Sequence, residues 1–466
     1  MSDFVGSSGF AGVWSAVCGQ ERFKLQCVKT KIIHAPVVTD PNEIVSHLVG
    51  LKSVRVLSYC RRGPVGEVMI EQTFEVRPAC RSCGTTLWVK DRPVVAYTDL
   101  PFGGVPMSVL WRKHRLECPN DQCQVRSFTL GDHRIAANGC MLTTRAAKWV
   151  VRQIDGGQTI THLARELCCG WDAINAAMRR YGEALLAADT KRLKTTTAIG
   201  LDETMFVRVG KFKQKSWSTT VCDVTNHQLI DVIPTRDYVH VAGWLKQRPE
   251  HFRANLAYGC LDMSRTYNAV FKVTTPKATR VIDRFHVMRH AINALDQTRR
   301  RVQQEQTGHR GRAGDPLYKA RKLLVMRSTR DDPELVERLD GLLGLGDPDG
   351  EVAFAHAIKE ATARFYDSTS SDDAPDFLRD IIDQATKPSA PPDVKAFGRT
   401  LKNWFDPILA WHQARVSNGP TEGMNNLLKR VKRVAFGFTN FENFRIRALL
   451  YAGKPNLRTL DSIVIK

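Results

Sequence analysis

Apolar positions along this chain change period several times, and each change marks a new kind of element. From about residue 43 to 135, short apolar runs such as VRVLSYC and VVAYTDL alternate with Gly and Pro, which predicts strands joined by tight turns. From about 141 to 188 the period becomes helical. In TITHLARELCCGWDAINAAMRR, Ile160, Leu163, Ala164 and Leu167 share one face, Cys168-Cys169-Gly170 interrupts, and Ile174, Ala177 and Met178 resume the stripe. Two short amphipathic helices across a turn containing Gly predict a helix-turn-helix, with Thr159 as N-cap of the first. Its second helix is expected to turn Asp172, Asn175, Arg179 and Arg180 outward, side chains suited to base edges and phosphates.

Beyond the basic linker KRLKTTT, residues 195–295 read as strands and then as strands alternating with helices. TTTAIGLDETMFVRV is a buried strand ending in charge. SWSTTVCDV and HQLIDVIP predict a hairpin around Thr225-Asn226, and VAGWLKQRP a short helix. NLAYGCLD is a second core strand, and ATRVIDRFHVMRHAINAL a strand running into a helix. That order predicts a mixed sheet flanked by helices. Residues 296–400 are basic and broken at first and then helical, which predicts an insertion, with 401–466 returning to the core. Residues 1–42 show no clear periodicity and are expected to be a poorly ordered leader or the product of an upstream start codon. The fold class expected is therefore multidomain α+β: a β module (43–135), a helix-turn-helix domain (136–190), and an α/β core (195–295 and 401–466) interrupted by a helical insertion (296–400).

Composition narrows the partners. The 466 residues carry 68 Lys and Arg against 48 Asp and Glu, a formal charge of +20, which points to a polyanion and first of all to nucleic acid. A hydrophobic content of 43% supplies ordinary cores, so this is not a disordered polycation. No apolar run approaches a membrane span, and the first thirty residues lack a signal-peptide core. A cytoplasmic, nucleoid-associated protein with no membrane partner is expected. Several of the twelve cysteines, Cys222 and Cys260 among them, sit in core segments as free thiols do, so paired cysteines read first as metal ligands.

Two such pairs exist: Cys80 and Cys83 in CRSC, and Cys118 and Cys123 in CPNDQC. Two knuckles supply the four thiolates of a structural Zn2+ site, and a hairpin inserted between them would explain their wide separation. The plainer alternative is two pairs of buried thiols. His114, between Arg112-Lys113 and Arg115, belongs to a basic strand expected to touch DNA phosphates, or replaces one of the cysteines.

Three carboxylates stand at the heads or tips of core elements: Asp202 after AIGL, Asp262 after YGCL, and Glu422 at the start of the helix TEGMNNLLKRVKRV. Converging, they would hold two Mg2+ ions, replaceable by Mn2+, as phosphodiester chemistry uses. On the helix face of Glu422, at +3, +4, +7 and +11, lie Asn425, Asn426, Lys429 and Arg433. Lys429, Lys432 and Arg433 are the expected backbone contacts to DNA. Met424, Leu427, Leu428, Val431 and Ala435 form the opposite, buried stripe. Spacing alone leaves open that Glu422 only complements the helix N-terminal dipole. Glu203 should face away from Asp202 on its strand. Asp223 and Asp231 are expected at the surface or in the hairpin turn. Asp283 in VIDRFHV competes with Asp262, and with His286 it is expected to position the site or DNA. Of Phe436, Phe438, Phe441 and Phe444, most should be core, with one free to stack on an unpaired base.

The order of knuckles, helix-turn-helix, GLDE, CLDMSRTY, VIDRFHV and SNGPTEGMNNLLKRVKRVAFGFTNFENFRIR resembles the ISL3 family of bacterial insertion-sequence transposases. The likeness runs from about residue 45, and its last block is the most specific. It implies a DDE transposase with an RNase H-like core, a triad of Asp202, Asp262 and Glu422, and double-stranded DNA as partner, both transposon ends and target. Because two ends must be brought together, a homo-oligomer on DNA is expected. The leader and the wider second knuckle depart from the pattern and leave the triad untouched. Two alternatives remain: a non-catalytic DNA-binding regulator of transposase ancestry, and another RNase H-like nuclease.

Overall fold

In the computed structural model the two sequence periods become three sheets and sixteen helices among the described residues, which are 40, 43, 46, 47, 49–74, 78–193, 195–326, 331–367 and 370–465. The leader expected over 1–42 lies outside them apart from Asp40. Residues Met1–Lys52 and Ser53–Lys466 are separate units, and the second carries all of these sheets and helices.

The N-terminal part of this second unit is all β. Strands β1 (Val54–Arg62), β2 (Val65–Gln72), β3 (Trp88–Asp91), β4 (Val94–Phe102), β5 (Val105–Arg112), β6 (Arg115–Glu117) and β7 (Ser127–Thr129) build a sheet of order β1-β2-β5-β4 and a small one of order β3-β6-β7. The small sheet carries the cysteine knuckles. The hairpin β4–β5 leaves it between them and joins the larger sheet, which accounts for the long gap between the Cys pairs.

Three helices come next in the chain: α1 (Thr144–Asp155), α2 (Ile160–Glu166) and α3 (Trp171–Ala188). Thr159 caps α2, its hydroxyl accepting from the His162 N–H at 3.1 Å, as Ncap Thr does. In the turn Cys168 takes the left-handed backbone (φ +52°), and Gly170 is the extended N-cap of α3.

The central sheet comprises β8 (Ala198–Val209), β9 (Gln214–Asp223) and β10 (Gln228–Ile233). After helices α4 (Tyr238–Lys246) and α5 (Glu250–Asn255) come β11 (Tyr258–Leu261), α6 (Arg265–Thr274) and β12 (Thr279–Ile282). Strand order is β10-β9-β8-β11-β12, the first three antiparallel and the last two parallel to β8. Asp223 closes the β9–β10 hairpin by accepting from the N–H groups of Thr225 and Asn226. Asp231 corrects the surface expectation. It is buried on β10 and accepts from Trp244 Nε1 at 2.7 Å and from both Nε and Nη2 of Arg445, so it bolts two helices to the sheet.

Helix α7 (Arg284–Thr307) carries the chain into the helical segment, and α8 (Pro316–Ala320), α9 (Pro333–Gly346), α10 (Glu351–Asp367), α11 (Ala374–Thr386), α12 (Pro392–Asn403) and α13 (Phe405–Ala414) complete it. The segment is not a separate lobe. One apolar core runs from Ile199 and Leu201 on the sheet through Val287 and Leu295 on α7 to Ile358, Leu378 and Ile408. Each such side chain buried contributes about 1.5–3 kcal/mol, enough to fix these helices on the sheet. The positions 295/296 and 400/401 fall inside α7 and α12.

The chain returns as α14 (Gly419–Val434), α15 (Phe441–Ala452) and α16 (Thr459–Ser462). Ile446 and Leu450 of α15 complete the core of α1–α3, so the helical module and the part of the chain that holds the central sheet share a seam. Gly182 on α3 makes that approach possible, because a Cβ there would stand 3.0 Å from Ile446 and 3.1 Å from Leu450.

Candidate active site and zinc centre

The sheet register places the acids. Leu261 of β11 pairs with Leu201 of β8 and, on its other side, with Ile282 of β12. The next residues, Asp202, Asp262 and Asp283, therefore occupy one level on three adjacent parallel strands. Asp262 and Asp283 follow the carboxyl ends of β11 and β12, where open α/β sheets bind ligands, whereas Asp202, expected at a strand tip, lies inside β8, which runs on to Val209 paired with β9. This is why periodicity alone could not separate Asp262 from Asp283.

Hydrogen bonding does separate them. Asp283 is buried and caps α7 by accepting from the Phe285 N–H at 2.7 Å. Its other oxygen accepts from Ser417 Oγ at 2.6 Å and from the Asn418 N–H at 2.5 Å. Both oxygens are spent on the architecture, and together they hold the entry to α14. Asp262 differs: its Oδ1 is buried without a partner.

Glu422 lies in the first turn of α14, which sits against β8. The contact needs Gly200, because a Cβ there would stand 2.1 Å from Thr421 Oγ1 and 2.5 Å from Asn418 Oδ1. The glycine of GLDE thus lets the helix bring Glu422 over the strand that bears Asp202. His286, one turn into α7, points its Nε2 at Glu422 Oε1 from 3.6 Å, too far for a hydrogen bond, and that nitrogen too is buried and unpartnered.

The carboxylates feel one another. Burial raises Asp202 to about 6; the Glu203 N–H and His286 oppose the rise, and the charges of Asp262 and Glu422 add to it. Burial also raises Asp262, opposed by His286 and reinforced by Glu203. Two acids that resist ionisation chiefly because they are buried, one with an orphaned oxygen, fit a divalent cation, whose charge reverses the penalty. Asp202, Asp262 and Glu422 could hold it.

Asn425 has a role that the sequence did not assign. Its spacing places it on the face of Glu422, at +3, and the structure turns that position toward Asp202 and buries it. Its Nδ2 donates to Asp202 Oδ2 at 2.7 Å, and its Oδ1 accepts from Thr204 Oγ1 at 2.5 Å and Thr220 Oγ1 at 2.6 Å. The two hydroxyls fix the amide, and the amide fixes the carboxylate. The i, i+3 spacing is visible in the sequence; that α14 turns this face to the sheet is not. Glu203 faces away from Asp202 as strand alternation requires, and Arg236 Nη1 holds it at 2.7 Å.

In the β module, Cys80, Cys83, Cys118 and Cys123 have sulfurs all within 4.8 Å of one another. Cys80 and Cys123 lie 3.8 Å apart, Cys83 and Cys118 3.5 Å. Thiolates at about 2.3 Å from a tetrahedral Zn2+ stand about 3.8 Å apart, so the four fit that ion. A hydrogen bond with Thr85 draws Cys83 down to about 6, toward the thiolate a metal requires. His114 is neither a ligand nor a surface contact. It is buried 3.5 Å from Glu71, whose carboxylate also gathers Arg55, Arg92 and Arg112.

The expected DNA contacts fare unequally in placement. Lys429 and Arg433 are exposed on α14, whereas Lys432 is half-buried and donates to the Met205 carbonyl. On α3, Arg180 donates to the Asn138 carbonyl, and Arg179 lies 3.9 Å from Glu183. Asn175 turns a buried, unpartnered Oδ1 toward the seam with α15.

The model of the ISL3 DDE family, described as "Transposase", matches residues 199–448, more than half the chain and the span that contains all three carboxylates. The chain belongs to the ISL3 transposase family. It is also 25% identical over 383 residues to the "Transposase for insertion sequence element IS1001" of Bordetella parapertussis, covering 79% of this chain and 88% of that one. A shorter match, 40% over 55 residues, is to an "ATP-dependent protease" of Lactococcus lactis subsp. lactis and covers 12% of this chain and 18% of that one. Among solved structures, the "Drosophila P element transposase strand transfer complex" aligns with a TM-score of 0.37 and 9% identity, over 70% of this chain and 96% of that one. Among the described residues no helix is long and apolar enough to cross a membrane.

Proposed function

We propose that this chain is a DDE transposase that binds the terminal inverted repeats of its own insertion sequence, cleaves DNA at those ends and joins them to target DNA. The observation that carries the reading is the electrostatic cluster of Asp202, Asp262 and Glu422, delivered by the middle of β8, the end of the parallel β11 and one helix start within the span matched by the family. Strand order β10-β9-β8-β11-β12, with β8–β10 antiparallel and β11 and β12 parallel to β8, supports an RNase H-like core. Two Mg2+ ions, or Mn2+ in their place, would supply activation of the attacking oxygen and stabilisation of the leaving one.

The chain's own residues do the rest. Asp202, Asp262 and Glu422 hold the ions. Asn425 keeps Asp202 aimed, and Asp283 fixes the loop from which Glu422 starts. Lys429 and Arg433 continue the helix beyond the acid as a basic edge for the DNA backbone, and Lys432, turned inward, anchors α14 to the sheet. Helices α2 and α3 would serve as the helix-turn-helix that reads the repeats, beside the zinc-stabilised β module. Bringing two ends together calls for a homo-oligomer on DNA.

The test uses the DNA flanking the gene as substrate, with and without Mg2+, and compares wild type with Glu422→Gln. Metal-dependent cleavage and joining, both lost in the variant while end binding persists, are the expected results. Cleavage without joining would make the chain a nuclease instead.

A further inference from the structure

Helix α15 carries a cation that the fold leaves without a counter-ion. Arg447 is only 6% exposed, yet among the described residues its guanidinium meets no carboxylate and makes no hydrogen bond. Its neighbour is the ring of Phe438, 5.1 Å away. Burial pushes Arg447 down to about 10, so it stays charged at neutral pH. The guanidinium keeps contact with solvent through the clefts it lines, and an anion there would supply the counter-ion that the described residues do not.

Arg447 lines two clefts along the seam between the helical module and the core. The second, of about 130 Å3, is also lined by Trp171, Asn175, Phe436 and Asn443. The side-chain oxygens of Asn175 and Asn443 are both buried there without partners. Phe436, held at φ +54°, presents a fully exposed ring. An anion would satisfy Arg447 but not the two amide oxygens, which need N–H donors, and the ring offers a stacking face. A nucleotide supplies all three: a phosphate, a base edge with N–H groups, and a flat π surface. In a duplex that edge and that face are already in use, so the nucleotide must be unpaired.

We propose that this cleft binds one unpaired nucleotide of a DNA strand, with its phosphate on Arg447, its base edge on Asn175 and Asn443, and its ring against Phe436. The inference rests on the reading of the chain as a DNA transposase and extends it. Along α14, Val434 at the cleft stands about 18 Å from Glu422 at 1.5 Å per residue. That is about five nucleotides at 3.4 Å each. The cleft therefore grips the strand a few nucleotides from the carboxylates and ties the helical module to the site.

The test measures binding of a short fluorescein-labelled single strand and of a blunt duplex to the full zinc-loaded chain, across a salt series. Arg447→Met should flatten the salt dependence of single-strand affinity by about 0.7 in log–log slope, one phosphate's worth. Phe436→Ala should weaken single-strand binding roughly tenfold, and neither should change duplex binding. Unchanged slope and affinity in folded variants would overturn the proposal, as would equal losses on duplex. If Arg447→Met does not fold, Phe436→Ala, whose side chain touches no core, decides alone. A wild-type chain that binds neither DNA would fail the transposase reading itself, and this inference would fall with it.

Discussion

Asp202 shows how much a single residue's neighbours decide. One of its oxygens accepts from the Glu203 N–H and the other from Asn425, and burial among other acids raises it to about 6. A carboxyl raised in the folded state binds more protons folded than unfolded between about pH 4 and 6, so its ionisation destabilises the metal-free protein as pH rises through that window. Adding Mg2+ to the wild-type chain should therefore raise its melting temperature more at pH 7.5, where Asp202 is ionised, than at pH 5, where a proton already relieves the charge. Thermal melts across that range, without chelator so that zinc stays, check the sign. Asn425→Ala would leave Thr204, Thr220 and Asp202 short of partners in a buried place, a loss of about 1–3 kcal/mol. Cleavage should fall with it while zinc content stays the same, and denaturant melts with a cleavage assay would show both.

At the scale of elements, the site is a meeting of one helix with one sheet. Helix α14 reaches β8 because Gly200 has no side chain, and it starts where it does because Asp283 holds Ser417 and Asn418. Gly200→Ala puts a methyl 2.1 Å from Thr421 Oγ1. The helix must shift, at a cost of about 1–3 kcal/mol. The shift carries Glu422 with it, so Mg2+-dependent cleavage should drop far more than stability. A chain that keeps wild-type cleavage with this alanine would show that the contact does not set the site. The same logic explains the aromatic run: Phe444 is core, Phe438 and Phe441 pack partly, and Phe436 alone is fully exposed at the turn after α14.

At the scale of the molecule, the small sheet that carries the cysteine knuckles and the central sheet have separate cores. The cysteine sulfurs cluster with Leu87 and Leu116, and the main core begins at Ile199. Structural zinc contributes its binding free energy to folding, so losing it should unfold the small sheet. Cys123→Ser is expected to lose the ion and the amide protection of β3, β6 and β7, with β8–β12 still protected. Hydrogen exchange with a zinc assay reads both. The helical module has no such independence, because Ile446 and Leu450 of α15 finish its core, and the helical segment α7–α13 shares its core with the sheet.

The sequence by itself determined most of the elements, the four cysteines that the fold brings together and the family, and it proposed the three carboxylates. Strand alternation, helical spacing and knuckle motifs are local, and local patterns survive in a linear string. It could not say which of Asp262 and Asp283 has a free oxygen, because both come after strands in the same register and the difference lies in what Ser417 and Asn418 do more than 130 residues later. Nor could it turn Asn425 inward, bury His114 beside Glu71, or leave Arg447 without a partner. Those outcomes depend on which face of a helix meets which side of a sheet, a choice made by the packing of the whole chain. The residues were legible from one end of the sequence to the other, but their partners were set only when distant segments came together.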